Sequence, residues 1–100
     1  MSQMYAIFRR SGWATEPELE AAAERSSRVT AEMAGDVTWI RSYVLAEPDG
    51  RLGTVCVYEA VSPEAIRRHA AAAELPVDEI VPVPGIVLPP SEPPPPAGRG

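Results

Sequence analysis

One hundred residues allow a single domain with a small core. Nine basic against fourteen acidic residues leave a net charge of -5, with no lysine among the cations, which excludes the clustered positive surface that a nucleic acid requires. The lone cysteine, Cys56, excludes an internal disulfide and no apolar run approaches the ~20 residues of a membrane span, so a soluble cytoplasmic protein is expected, stabilised by pairing into a homodimer.

The first element expected is a strand over residues 3–9, QMYAIFR, with Tyr5 and Ile7 on one face and Met4, Ala6 and Phe8 on the other. Apolar side chains on both faces imply a central position. Residues 10–14 read as a loop, in which Trp13 serves as a lid over the core edge or as an interface anchor. Thr15-Glu16-Pro17-Glu18 then has the form in which a hydroxyl and a carboxylate satisfy the free amides of a helix start, with Pro17 tolerated in the first turn. Leu19, Ala22, Ala23, Ser26, Val29, Thr30 and Met33 recur at three- and four-residue steps as the inner stripe, and Gly35 stands where a left-handed closing residue is wanted.

Residues 37–47, VTWIRSYVLAE, form the next strand, with Trp39, Arg41, Tyr43 and Leu45 assigned to one side by strict alternation. Pro48-Asp49-Gly50 turns the chain, and residues 53–60, GTVCVYEA, return as the antiparallel partner. A register symmetric about the turn places Tyr43 opposite Cys56 and Arg41 opposite Tyr58; a shift of one residue places Arg41 opposite Glu59. Ser62-Pro63-Glu64 starts a second helix with Ile66, Ala70 and Ala73 inward, Leu75-Pro76 ends it, and VDEIVPV supplies a last strand whose Pro82 indicates a sheet edge. The order βαββαβ predicts a ferredoxin-like α+β sandwich of the dimeric α+β barrel type over residues 1–88, two helices covering one face of an antiparallel sheet. The remaining PPSEPPPPAGRG, residues 89–100, reads as a disordered Pro-rich tail, solvated or docking in an aromatic groove.

From Tyr5 to Val83 the chain resembles a bacterial domain-of-unknown-function family of small dimeric nickel-binding proteins with a ferredoxin-like fold. The resemblance is carried by Trp39-x-Arg41-Ser42-Tyr43, by Cys56-x-Tyr58-Glu59-Ala60, and by Glu64-Ala65-Ile66-Arg67-x-His69-Ala70 leading to Leu75-Pro76. Members of that family commonly read Ala-Gly-Leu-Pro where this chain has Ala73-Glu74-Leu75-Pro76, so Glu74 has to accept a positive φ or the helix has to end otherwise. The resemblance implies nickel as the metal and a second copy as the partner.

Against that background His69, the single imidazole, is the candidate metal ligand, the alternative being a boundary histidine hydrogen-bonded to its neighbours. Arg41, Tyr43, Tyr58 and Glu59 are a candidate ligand pocket between the sheet and a second subunit, or else Arg41 and Glu59 form an ion pair that pins the register. Cys56, inside a strand, reads as a small hydrophobe rather than a nucleophile. Asp49, Asp78 and Glu79 are dispersed, lacking calcium-loop, HxxxH or CxxC spacing, and no organic cofactor is indicated. Two functions follow as expectations: nickel binding or sequestration through His69, or a cofactor-free enzyme or small-molecule-binding module using the inter-subunit cavity. Nothing in the motifs decides whether the protein is an enzyme.

Overall fold

The computed structural model describes residues 2–90. Residues 3–83 form an α+β fold in the order β1 (Gln3–Trp13), α1 (Glu16–Glu32), β2 (Val37–Ala46), β3 (Leu52–Ala60), α2 (Pro63–Ala73) and β4 (Glu79–Val83). The strands make one sheet of order β2-β3-β1-β4, antiparallel at every junction. The apolar first strand is indeed central, and the strand containing Pro82 lies at an edge. The Pro-rich tail expected from residue 89 falls, from residue 91 onward, outside the described residues.

Local chemistry sets the helix ends. The hydroxyl of Thr15 accepts the amide of Glu18 at 3.4 Å, while Oε1 of Glu18 accepts the amide of Ala14 at 2.8 Å, one residue beyond the usual reciprocal partner. Ser62 likewise accepts the amide of Ala65 at 3.1 Å. Helix α2 closes on Glu74 at φ 58 and ψ 48, so this position keeps the left-handed conformation without a glycine. Arg25 of α1 donates from Nε to the Ala73 carbonyl at 2.8 Å, placing a cation at the negative end of α2.

Both helices cover the same face of the sheet. Tyr58 of β3 touches Ser26 on α1 and His69 on α2, and its strand partner Tyr5 is buried beside it. Burial of Tyr5, Ile7, Val37, Cys56, Tyr58, Ala60, Ala65 and Ile66 makes the core. The small residues Ala65, Ala70 and Ala73 let α2 lie close to the sheet.

Three expectations about β1 and β2 are corrected. β1 does not stop at Arg9; it runs to Trp13 through a bulge between Arg9 and Trp13, and Trp13 is buried as part of the strand. The bulge is held by Glu47, which accepts the amide of Ser11 at 3.1 Å and a two-point ion pair from Arg10 at 2.7 and 2.9 Å. The hairpin register matches neither expected alternative: Arg41 lies opposite Val57 and Tyr43 opposite Val55. Finally, strict alternation fails in β2, because Ile40 is an extra residue between the pairs Trp39–Tyr58 and Arg41–Val57. Trp39 therefore faces the helices with Ser42, whereas Arg41 and Tyr43 lie on the open side.

Candidate functional site

His69 does not sit at the border of the buried stripe; it is 0% exposed. Its Nε2 lies 3.1 Å from the hydroxyl of Thr30, 3.3 Å from the hydroxyl of Ser26 and 3.3 Å from the Ser26 carbonyl. Thr30 donates its only hydroxyl hydrogen to the Ser26 carbonyl at 2.7 Å, so it can only accept from His69. This network assigns the hydrogen to Nε2 and leaves Nδ1 a bare, buried acceptor without a partner. Burial pushes the His69 pKa below its ordinary value, opposed by the backbone bond to Ser26 and aided by the Arg9 charge.

These surroundings do not suit nickel. The Nε2 side meets hydroxyls and a carbonyl, the edge of the imidazole packs against the Tyr58 ring at 5.2 Å, and among the described residues no Cys, Asp or Glu joins it. Among the described residues, no three His, Cys, Asp or Glu side chains are grouped to hold an ion.

The four residues of the expected inter-subunit pocket do not converge. Tyr58 is buried on the helix side, stacked on Trp39 with centroids 6.3 Å apart and bonded to Ser26 at 3.0 Å. Burial raises the pKa of its hydroxyl, with the Ser26 bond and the Arg9 charge opposing. Arg41, Tyr43 and Glu59 are exposed on the opposite face, Tyr43 to 53%, and among the described residues the ion pairs are Arg10–Glu47 and Arg68–Asp36. Cys56 is free and buried, with its thiol 3.4 Å from the Thr54 hydroxyl, in keeping with a packing role.

A site that the sequence reading missed lies under α1. Arg9, at the end of the regular part of β1, is 1% exposed. Its Nη1 donates to the Pro76 carbonyl at 2.6 Å, and its Nη2 is buried with no partner. Arg9 lines a cavity of about 190 Å³ whose other walls come from β1, α1, β2, β3 and Leu75. They include Trp13, Leu19, Ala22 and Trp39, and among the described residues Arg9 is the one charged side chain lining it. The readable signal was the period-two series Tyr5, Ile7, Arg9, which puts the arginine on the buried face.

Residues 5–83 match the family described as nickel responsive protein SCO4226-like. No curated protein matches the chain. Among solved structures, SCO4226 from Streptomyces coelicolor A3(2) is similar, with a TM-score of 0.67 and 24% identity over 84% of this chain and 99% of that one. At that identity the likeness speaks for the fold.

Proposed function

This chain belongs to the SCO4226-like family of nickel-responsive proteins, and from that membership we propose that it is a small cytoplasmic nickel-binding or nickel-sequestering protein, acting as a homodimer of ferredoxin-like domains. The observation that carries the reading is the family match across residues 5–83, which spans all four strands and both helices. The βαββαβ order and the antiparallel sheet support the ferredoxin-like assignment.

The environment of His69 argues for a different placement of the ion. A site with borderline donors needs several converging ligands, and one copy of the chain brings no three together among its described residues. We therefore assign nickel to exposed carboxylates that two copies bring together, with water completing the coordination. An apolar outer sheet face, bearing Phe8, Tyr43, Val55 and Val57, supports pairing of that kind.

Titration calorimetry with nickel on the wild type and on His69→Gln tests the reading. The two isotherms are expected to coincide in affinity and stoichiometry. An absence of nickel binding by the wild type would remove the proposal for this chain, and a loss confined to His69→Gln would return the ion to the imidazole.

A further inference from the structure

We propose that the cavity under α1 binds a small monocarboxylate carrying one aromatic ring or a short apolar chain, anchored through Nη2 of Arg9. The proposal is independent of nickel and of a second subunit, since every wall belongs to one chain.

A guanidinium keeps its charge inside a protein, and a buried charge normally has an opposite charge beside it. Arg9 has a carbonyl on Nη1, and its Nη2 makes no hydrogen bond although the Tyr58 hydroxyl lies near enough to feel its charge; among the described residues no carboxylate lines the cavity. The missing partner is therefore an acceptor, and an anionic one. Two further hydroxyls on the wall have hydrogens to give. Ser42 accepts Nε1–H of Trp39 at 2.9 Å, and Thr54, the strand partner of Arg9, accepts from the Cys56 thiol at 3.4 Å, so each hydroxyl hydrogen is left to point at a ligand. The remaining hydroxyls of the wall, those of Ser26 and Tyr58, are bonded to each other at 3.0 Å, so three donors facing a largely apolar wall select an anion with an apolar body.

Size narrows the class. An apolar cavity of about 150 Å³ accommodates benzene, and this one, at about 190 Å³, has room for a ring and a carboxylate. It is smaller than the ~300 Å³ and upward that drug-sized ligands occupy. Trp13 and Trp39 offer aromatic surface to the ring. Val44 lines the cavity yet is 58% exposed on the edge strand β2, which marks the way in.

The test is calorimetric titration of the full chain with phenylacetate and with its neutral isostere phenylacetamide, beside acetate and chloride. Chemical shifts of the Trp13 and Trp39 indole N–H groups are followed in parallel. Phenylacetate is expected to bind roughly tenfold to hundredfold more tightly than the amide, the range a charged hydrogen bond supplies, and to move both indole signals. Arg9→Met is expected to abolish that preference, and Ala23→Leu, which fills the cavity from α1, to weaken acid and amide alike. Equal affinity for acid and amide would overturn the anchor role of Arg9. Binding of acetate or chloride as tight as that of phenylacetate would overturn the apolar body, and no binding by any probe would overturn the site. The acid-to-amide comparison needs only the wild type, so it decides the matter even if Arg9→Met fails to fold.

Discussion

The hydroxyl of Thr30 donates to the Ser26 carbonyl at 2.7 Å, and this bond forces Nε2 of His69 to be the donor at 3.1 Å. His69 is thus held neutral, its pKa lowered by burial. In the unfolded chain the imidazole titrates near its ordinary 6.5, so below that pH the unfolded state binds a proton that the native state refuses. Stability from this group is complete above about pH 6.5 and is lost as the pH falls from there through the lowered native value. Urea denaturation between pH 7.5 and 5 should show stability falling as the pH drops below about 6.5, with a slope bounded by one proton, about 1.4 kcal/mol per pH unit. The slope should flatten in His69→Gln. Glu47 and Asp49, whose pKa values are lowered chiefly by bonds from Arg10 and from the Arg51 amide, act mainly below about pH 5 and touch this window only at its acid end. An unchanged slope in the variant would show that His69 is not the group responsible.

Gly53 is required by the bulge of β1. A Cβ at this position would stand 2.7 Å from the Arg9 carbonyl and collide with Oε2 of Glu47. The carbonyl is backbone and cannot yield, while the carboxylate is tied to Arg10 and to the Ser11 amide. Gly53→Ala should destabilise the fold by about 2 kcal/mol, as overpacking of a tight site does. The midpoint of a urea transition measures it, with an unchanged m-value showing that stability changed and the surface exposed on unfolding did not. A midpoint within experimental error of the wild type would mean that the bulge opens freely.

The features legible in the sequence are those that answer a local backbone need. Thr15 and Ser62 cap helices because their hydroxyls reach amides three residues on, and Gly50 turns the hairpin at φ 84. The two bulges were not legible. Ile40 is displaced by how β2 pairs with β3, and nothing in VTWIRSY distinguishes an extra residue from a regular one. The bulge in β1 depends on Glu47, some 36 residues away in the chain from Ser11. The offset at Ile40 turns Arg41 and Tyr43 to the face opposite Tyr58, and Glu59, next to Tyr58 in β3, faces away from it too, so the four residues of the expected pocket never meet. Arg9 escaped notice because a charged residue near a strand end is ordinarily solvated, although its parity with Ile7 placed it inside.

At Glu74 the chain accepts a left-handed residue where glycine is the easier choice. Its φ of 58 carries a penalty of about 1 to 2 kcal/mol for a residue with a Cβ. Glycine would remove that penalty while adding about 0.4–1 kcal/mol of unfolded-state freedom. The side chain takes no part in holding the corner, since Arg25 bonds to the backbone carbonyls of Ala73 and Glu74. Glu74→Gly should therefore raise stability by about 0.5 to 1 kcal/mol, seen as a rise of a few degrees in Tm. A fall in Tm would show that the left-handed form is maintained here without strain.

The open face of the sheet is the surface on which the proposed assembly depends. In the antiparallel register Tyr43 lies opposite Val55, and Val55 opposite Phe8, so three apolar side chains cross β2, β3 and β1 in one row. Val55 stands at the middle of that row, with neither flanking partner able to neutralise a charge. Its side chain points away from the helix-covered core, as do those of Phe8 and Tyr43. Val55→Glu should leave the monomer folded, with an unchanged circular dichroism spectrum. Arg41, paired with Val57 on the same face, is within diagonal reach of that carboxylate, so the substitution is made together with Arg41→Gln. A carboxylate then buried without a counter-charge costs about 3 kcal/mol or more, and the dimer dissociation constant should rise at least a hundredfold. Sedimentation equilibrium of the two proteins over a range of concentrations provides the comparison. A wild type that sediments as a monomer at the highest concentration removes the homodimer and, with it, the shared carboxylates to which nickel was assigned; the Arg9 cavity, walled by one chain, is untouched by that outcome.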